Sequence, residues 1–395
     1  MDKKIKVLIS YQGMMIGGST TSLLSILERL DYTRFDIDLL LDTVSGELLH
    51  LVPDKVNILP SAYRFPNHTL RNLINLFSPR YLIAHYKALK IAKSSGSRLQ
   101  GIQYRETADV ERYRSFKQHY DIAIAFLEGR NCKFVANHIN ASKKIAWIHI
   151  DYKASEFNPK YDIESLSKFD RIITVSESCK KSFNDCFPSL SNRTEVIENI
   201  LSSDLLTKRA DELIELDLNQ EKIKLVTCCR ICFASKGLDR AVRAMSKIKN
   251  LKNFNRIKWY IIGDGPDFLT LQKLVQAYGL EENIELLGPK INPYPYLKQM
   301  DVFFLPSVWE GKPMAVTEAL LLGLPVMVTQ YLSAPEQIQN GKDGIILENS
   351  EDGITIGLTR ILENPDIITF LKQNVMSSSY SNDEEMNKIN SLLSI

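Results

Sequence analysis

Short apolar runs separated by helix-like segments recur along almost the whole chain, and this rhythm restricts the available folds more than any other feature. Ile5–Ile9, Phe35–Leu41, Asp121–Phe126, Lys144–Ile150 and Arg171–Val175 read as strands. The same beat resumes at Ile223–Thr227, Lys258–Ile262, Asn283–Leu287, Asp301–Leu305 and Pro325–Val328. Strands that alternate with helices build parallel sheets covered on both faces. Two such series in 395 residues imply two doubly wound α/β domains, because the chain is too long for a single core. Between them, Asn199 to about Gln220 is acidic, polar and poor in aromatics, and reads as a hinge. The expected division is a Rossmann-like domain over 1–200, a hinge over 201–220, a second Rossmann-like domain over 221–375 and a C-terminal helical segment over 376–395. Ligands of open α/β sheets bind beyond the carboxyl ends of the strands, so the site is expected in a central cleft that both domains face.

Composition narrows the class. At 44% hydrophobic and 24% charged residues the chain resembles an ordinary soluble enzyme, and a formal net charge of +2 argues against a nucleic-acid partner. Charge is uneven, however. From Arg80 to Lys117 the cations Arg80, Lys87, Lys90, Lys93, Arg98, Arg105, Arg112, Arg114 and Lys117 outnumber Glu106, Asp109 and Glu111. Such a local basic face can touch anionic lipid or a lipid-linked phosphate, or it can be a solvated helical face whose lysine stems cover apolar surface. Met1-Asp-Lys-Lys-Ile-Lys is followed by too short an apolar stretch for export, and no run reaches the roughly 18 apolar residues of a spanning helix. The expectation is a soluble cytoplasmic protein, at most peripheral at the inner face of a membrane. Of six cysteines, Cys229 and Cys232 have the spacing of a metal or redox pair but no second pair to complete a zinc site. Read as the continuation of a strand, the pair is expected to be inert.

Three stretches carry chemistry, each directly after an expected strand. Gly13-Met-Met-Ile-Gly17-Gly18 opens a helix, where adjacent glycines admit close backbone approach and free N–H groups meet an anion. A tight strand-to-helix turn explains the loop equally well, and its spacing is not the dinucleotide fingerprint. Arg230 and then Lys236-Gly237-Leu-Asp239-Arg240 follow the sixth strand. An arginine fork with a lysine point charge suits a diphosphate, and a cation at a helix start opposes the dipole unless it has such a purpose. Finally, Trp309-Glu310-Gly311-Lys312-Pro313 opens into the apolar helix Met314-Ala-Val-Thr-Glu318-Ala-Leu-Leu-Leu-Gly. A carboxylate there requires donors. A ribose diol supplies two, whereas the plainer alternative is a core Lys or Arg. Glu310, ahead of the helix, is placed to meet hydroxyls at the other end of the same ligand, with the N–H groups of Lys312, Met314 and Ala315 near its phosphate.

At these residues the sequence resembles the retaining glycosyltransferases of family 4, with the two-domain GT-B fold. Glu310 and Glu318 match the Glu-x7-Glu signature, and Arg230 with Lys236–Asp239 match the Arg…Lys-Gly-Leu-Asp segment. Ile262-Gly-Asp-Gly-Pro266, Asp301-Val-Phe-Phe-Leu-Pro-Ser307, Gly323-x-Pro325-Val-x-Val328 and Asn340-Gly-x-x-Gly344 are similar too. Gly17-Gly18, Trp147-Ile-His-Ile-Asp151 and Val175-Ser-Glu-Ser178 extend the likeness to the first domain. The Glu310-Gly-Lys-Pro313 form looks like the bacterial capsule and cell-surface polysaccharide enzymes of this group.

The resemblance implies that Arg230 and Lys236 neutralise the donor diphosphate, Glu318 binds ribose hydroxyls and Glu310 contacts the transferred sugar. Gly311, Lys312, Pro313 and Met314 would surround the donor, Gly17 and Gly18 would approach sugar and phosphate through backbone, and Ile291 would lie against the base. His149 would point at a sugar hydroxyl, unless it is simply a satisfied histidine at a strand end. The implied reaction is sugar transfer from a nucleotide diphosphate donor, UDP-linked by preference, to a hydroxyl of a glycan or lipid-linked acceptor, with retention. No cofactor beyond that co-substrate and no metal are expected, since Asp36-Ile-Asp38 alternates with Phe35, Ile37 and Leu39 as one face of a strand. Cys228-Cys229 ahead of Arg230, and Tyr331-Leu-Ser-Ala-Pro-Glu336 in place of a Gly-Gly-x-Pro-Glu loop, depart from the pattern and leave the donor sugar open. A nucleotide-sugar 2-epimerase and a non-catalytic partner subunit of the same fold are the alternatives.

Overall fold

The computed structural model describes residues 4–62, 78–111, 113, 116–214, 216, 221–380 and 384–394. The chain divides into two compact units, Met1–Ile200 together with Asp383–Ile395, and Leu201–Asn382.

In the first unit β1 (Ile5–Tyr11), β2 (Phe35–Leu41), β3 (Asn57–Ile58), β4 (His119–Ala125), β5 (Asn140–Ile148), β6 (Arg171–Thr174) and β7 (Thr194–Val196) form a parallel sheet in the order β3-β2-β1-β4-β5-β6-β7. Alternate residues of one strand feed different cores, as the period of two requires. Val7, Ile9 and Tyr11 join a cluster with the helix Gly18–Arg29, while Leu8 joins Phe134, Phe169 and Phe183 on the other face. This two-sided burial is why the strands read as unbroken apolar runs. Met386, Ile389 and Leu393, from the helix Glu384–Leu392 and its end, complete the first cluster. Lys143 donates to the Leu392 carbonyl at 2.7 Å, and the Glu385 carboxylate accepts from the Glu198 N–H at 2.8 Å. Of the Asp36-Ile-Asp38 pair, Asp36 faces solvent and Asp38 accepts from Asn57 and Tyr120.

In the second unit β8 (Ile223–Cys228), β9 (Ile257–Ile262), β10 (Ile284–Gly288), β11 (Val302–Leu305), β12 (Val326–Thr329) and β13 (Gly344–Leu347) run in the order β10-β9-β8-β11-β12-β13, again all parallel. Leu225 and Phe304 face one core, Val226 and Phe303 the other. Ten of these strands follow from the apolar rhythm; β3 and β7 are too short, at two and three residues, to register as periodic runs, and β13 is not among the ten.

Strand order reverses between β1 and β4 in the first sheet and between β8 and β11 in the second. At such a point the loops leaving two neighbouring strands diverge and open a crevice at their carboxyl ends. In the second unit the loops after β8 and β9 are drawn together backbone to backbone. Cys229 donates to the Ile262 carbonyl at 3.1 Å and Ile231 to the Asp264 carbonyl at 2.8 Å. Gly263, at φ +140°, leaves so little room that an added Cβ would stand 1.9 Å from the Cys229 carbonyl oxygen. Gly263→Ala therefore combines a forbidden backbone region with a clash against a fixed main chain. It is expected to destabilise the protein by about 3 kcal/mol or more in urea denaturation, whereas the solvent-facing Gly341→Ala should show the backbone cost alone.

Candidate functional site

Glu310 and Lys236 meet at the strand reversal of the second sheet. After β8 the chain forms one helical turn, Phe233–Lys236, and Gly237 at φ +61° redirects it into the helix Leu238–Lys247. After β11 the loop is fixed by Arg240, which donates to the carbonyls of Pro306 and Ser307, both at 2.9 Å, and to Asn349 Oδ1 at 2.5 Å. Val308 N–H closes on the Ser235 carbonyl at 2.7 Å. The loop so held points Glu310 inward. Its Oε1 accepts from Lys236 Nζ at 2.5 Å and from the buried Ser307 hydroxyl at 2.6 Å. Burial works against the Lys236 charge, but Glu310 first, together with Cys229 and Cys232, outweighs it and the ammonium pKa is raised. Lys236 is a fixed cation, with one of its three donors engaged among the described residues. Arg230, on the same loop, is exposed.

Glu318 lies on the helix Met314–Leu321, which Pro313 leads into and whose Val316, Ala319 and Leu320 are core. Its carboxylate accepts from the Tyr294 hydroxyl at 3.1 Å, and among the described residues it makes no ion pair. Burial dominates; the Tyr294 bond and the more distant Arg209 charge pull less strongly the other way, and the Glu318 pKa rises to about 7. Burial also raises the Tyr294 pKa, so its hydroxyl stays a donor. The guanidinium of Arg209 covers the Tyr294 ring at 5.0 Å and donates to the Ile291 carbonyl at 2.9 Å. Arg209 comes from the helix Ser203–Ala210, inside the stretch read from composition as a hinge. That helix belongs to the second unit, where Leu206 and Ala210 pack with Tyr294 and Met314.

In the first unit Gly17 precedes the helix Gly18–Arg29 with φ 171° and ψ 158°, an extended conformation open to any residue. A Cβ there would meet nothing within 4 Å. Neither backbone conformation nor crowding within the protein requires glycine at this position. His149 follows β5. Its N–H is held by Glu128 at 3.0 Å and its ring lies 5.0 Å from that of Phe126. Burial pushes its pKa down to about 4; the Phe126 backbone and Asn199 oppose this without a well-formed hydrogen bond to either ring nitrogen. The imidazole is neutral near pH 7.

Of the residues singled out in the sequence, the structure thus pairs Lys236 with Glu310 and places Gly311 and Met314 in buried positions beside them along the chain. Lys312 and Pro313 are half-buried, the Pro313 carbonyl accepts from Gln337 Nε2 at 3.2 Å, and the Ile291 side chain is exposed. Gly17, Gly18 and His149 belong to the other unit. Sequence reading missed Tyr294, Arg209, Arg240 and Ser307. Arg240 directly follows the Lys236-to-Asp239 motif, and Tyr294 lies three residues beyond Ile291, so adjacency was the available signal. One expectation needs correcting. Cys229 and Cys232 do not continue a strand: β8 ends at Cys228, and Cys232 caps the turn Phe233–Lys236. Burial pushes the Cys229 thiol pKa up to about 12, against thiolate formation.

Residues 209–378, most of the second unit, match the family described as Glycosyl transferases group 1. The chain is 29% identical to an uncharacterized glycosyltransferase, MJ1059, of Methanocaldococcus jannaschii, over 54% of this chain and 52% of the relative. It is 31% identical to WcaL of Salmonella typhimurium, named as a putative colanic acid biosynthesis glycosyltransferase, over 34% of this chain and 35% of that one. The match thus spans about half the length of the first relative and a third of the second. Alr3699/HepE of Anabaena, solved with UDP and glucose, superposes with a TM-score of 0.69 at 15% identity, over 99% of this chain and 100% of its own. Its two parallel-sheet, Rossmann-like domains are those of the GT-B fold, and so are the two units here.

Glu318 and His149 give opposite stability trends. Glu318 holds its proton more tightly folded than unfolded, so its contribution is present at low pH and is lost as pH rises from 4.5 through about 7. The loss should approach 3 kcal/mol, read as the difference in urea stability between wild type and Glu318→Gln. His149 holds its proton less tightly when folded, so stability falls as pH drops from 6.5 towards 4. His149→Gln should flatten that acid limb by up to about 3 kcal/mol.

Proposed function

We propose that the chain is a retaining glycosyltransferase of the family 4 type, transferring a sugar from a nucleotide diphosphate donor to a hydroxyl acceptor. The observation that carries this reading is Glu318: a carboxylate inside an apolar helix, supplied with one neutral hydroxyl donor and no ion pair among the described residues. Such a group has acceptor capacity unmet by the protein, and a ribose diol matches it. The family match over 209–378 supports the same reading.

In this reading Glu318 takes the ribose hydroxyls, Ile291 lies beside the base and Arg230 with Lys236 neutralises the diphosphate. Backbone N–H groups from Gly311 to Met314 add to that charge. Glu310 contacts the transferred sugar while holding Lys236 in place. The bond from the anomeric carbon to the phosphate oxygen breaks as the bond to the acceptor oxygen forms on the same face. The acceptor proton passes to the departing phosphate oxygen. Negative charge then grows on a diphosphate beside preorganised cations, where electrostatic stabilisation acts most strongly. Gly17, Gly18 and neutral His149 are assigned to the sugar end. A UDP-linked donor is favoured because HepE was solved with UDP, and a cell-surface glycan or lipid-linked acceptor because WcaL is named for colanic acid biosynthesis.

UDP should raise the thermal unfolding temperature by mass action, and GDP should do so less. Lys236→Ala, Arg230→Ala and Glu318→Ala should each lower turnover about 10²–10³-fold while the circular dichroism spectrum is kept. Full turnover in Glu318→Ala would refute the donor assignment. Consumption of UDP-sugar at an unchanged rate without any acceptor would favour epimerase chemistry instead.

A further inference from the structure

The first unit carries a helical hairpin whose outer member has an unusual face. The helix Pro79–Ser95 is capped by Ser78 and ended by Gly96 at φ +69°, and it packs on the helix Arg98–Val110. That crossing is tight: a Cβ on Gly101 would stand 2.5 Å from the Ala88 carbonyl oxygen. The inner helix is in turn anchored by Lys133, an almost fully buried ammonium. It donates to the Gln103 carbonyl at 2.7 Å and pairs with Glu106 at 3.2 Å and Asp162 at 2.8 Å. The outer helix is therefore firmly mounted, yet Ala88 is its one buried residue.

What it presents outward is apolar. Leu82, Ile83, Tyr86 and Leu89 are 43%, 56%, 60% and 57% exposed. Steps of three and four residues put Leu82, Tyr86 and Leu89 on one stripe, with Ile83 beside it. The exposed Lys87, Lys90 and Lys93 fall on and along this stripe, with Lys90 Nζ 4.9 Å from the Tyr86 ring centre. From Pro79 to Arg105 the sequence contains six Lys or Arg and no Asp or Glu. Arg112 and Arg114, further along the same basic segment, lie outside the described residues.

We infer that this helix face docks the protein on an anionic lipid bilayer, lying in the plane of the headgroups. Apolar side chains of that size enter the headgroup–acyl boundary, while lysines reach back to the phosphates from stems lying along the apolar stripe. The charge selects this occupant. A second copy of the chain would set the three lysines against their own equivalents. No described helix is long and apolar enough to cross a membrane, so the contact is interfacial. The inference is independent of the donor site and is tested without sugar transfer.

The test is co-sedimentation of the full chain with phosphatidylglycerol/phosphatidylethanolamine vesicles and with phosphatidylcholine vesicles. Binding is expected on the anionic vesicles only, weakening as salt is raised. The triple variants Lys87→Glu/Lys90→Glu/Lys93→Glu and Leu82→Ser/Tyr86→Ser/Leu89→Ser should each reduce partitioning about tenfold or more. Both alter exposed positions, so an unchanged thermal unfolding curve should confirm intact folding. No binding to anionic vesicles overturns the inference, as does binding that both variants retain. A change of oligomeric state in the variants with no change on vesicles would assign the face to self-association instead.

Discussion

The ion pair between Lys236 and Glu310 is the constraint around which the second unit's site is arranged. Its two members come from loops after different strands, and they meet because β8 and β11 are neighbours at the reversal of strand order. A half-buried ammonium and a buried carboxylate are each costly alone, and together they fix one another's position. Everything nearby serves that geometry. Arg240 holds the Pro306–Ser307 carbonyls, Ser307 shares the Glu310 oxygen, and Gly263 allows the β9 loop to close on the β8 loop. The result is a cation whose location does not depend on a ligand. Preorganisation of this kind is what makes a charge effective against one that develops during a reaction.

Glu318 shows the complementary arrangement. Where Lys236 has a full counter-charge in Glu310, Glu318 is undersupplied, with the Tyr294 hydroxyl as its donor and Arg209 acting from beyond the Tyr294 ring. A carboxyl group left near neutrality by burial is poised to respond to new donors, because each hydrogen bond to the charged form lowers its pKa. The second unit thus places a rigid charge and a responsive one at the carboxyl ends of its strands. The first unit, taken by itself, has a different electrostatic character at its strand ends. His149 is held neutral by burial, and Gly17 offers backbone with open space beside it.

Much of this was legible in the residues. Parallel strands buried on both faces must be apolar throughout, so ten of the thirteen strands among the described residues could be read directly. The short edge strands β3 and β7 could not, because two or three residues carry no period. Glu310, Glu318 and Lys236 stood out because a charge in apolar surroundings, or at an unfavourable helix end, demands a partner. The identity of each partner was not legible. That Lys236 would answer Glu310 depends on strand order, a long-range property with no local mark. Arg209 was hidden for a different reason: its segment has the polar composition of a linker, and its helix is stabilised by Leu206 and Ala210 packing on Tyr294. The cysteine pair failed on local detail, since β8 ends at Cys228 and the four residues that follow leave the sheet, so that Cys232 stands at a helix cap.

The helix Glu384–Leu392 has a consequence for how the protein is made. Met386, Ile389 and Leu393 fill the same core as β1, which is translated long before them. The second unit is continuous in the chain, whereas the first is interrupted by it. Domains generally fold as they are synthesised, from the N-terminal end onward. Here that order is inverted for completion. The later-translated unit has all its parts before the earlier one does, and the nascent first sheet must wait with an apolar flank uncovered. During that interval the vulnerable surface of the growing polypeptide is the apolar one that the closing helix will finally cover.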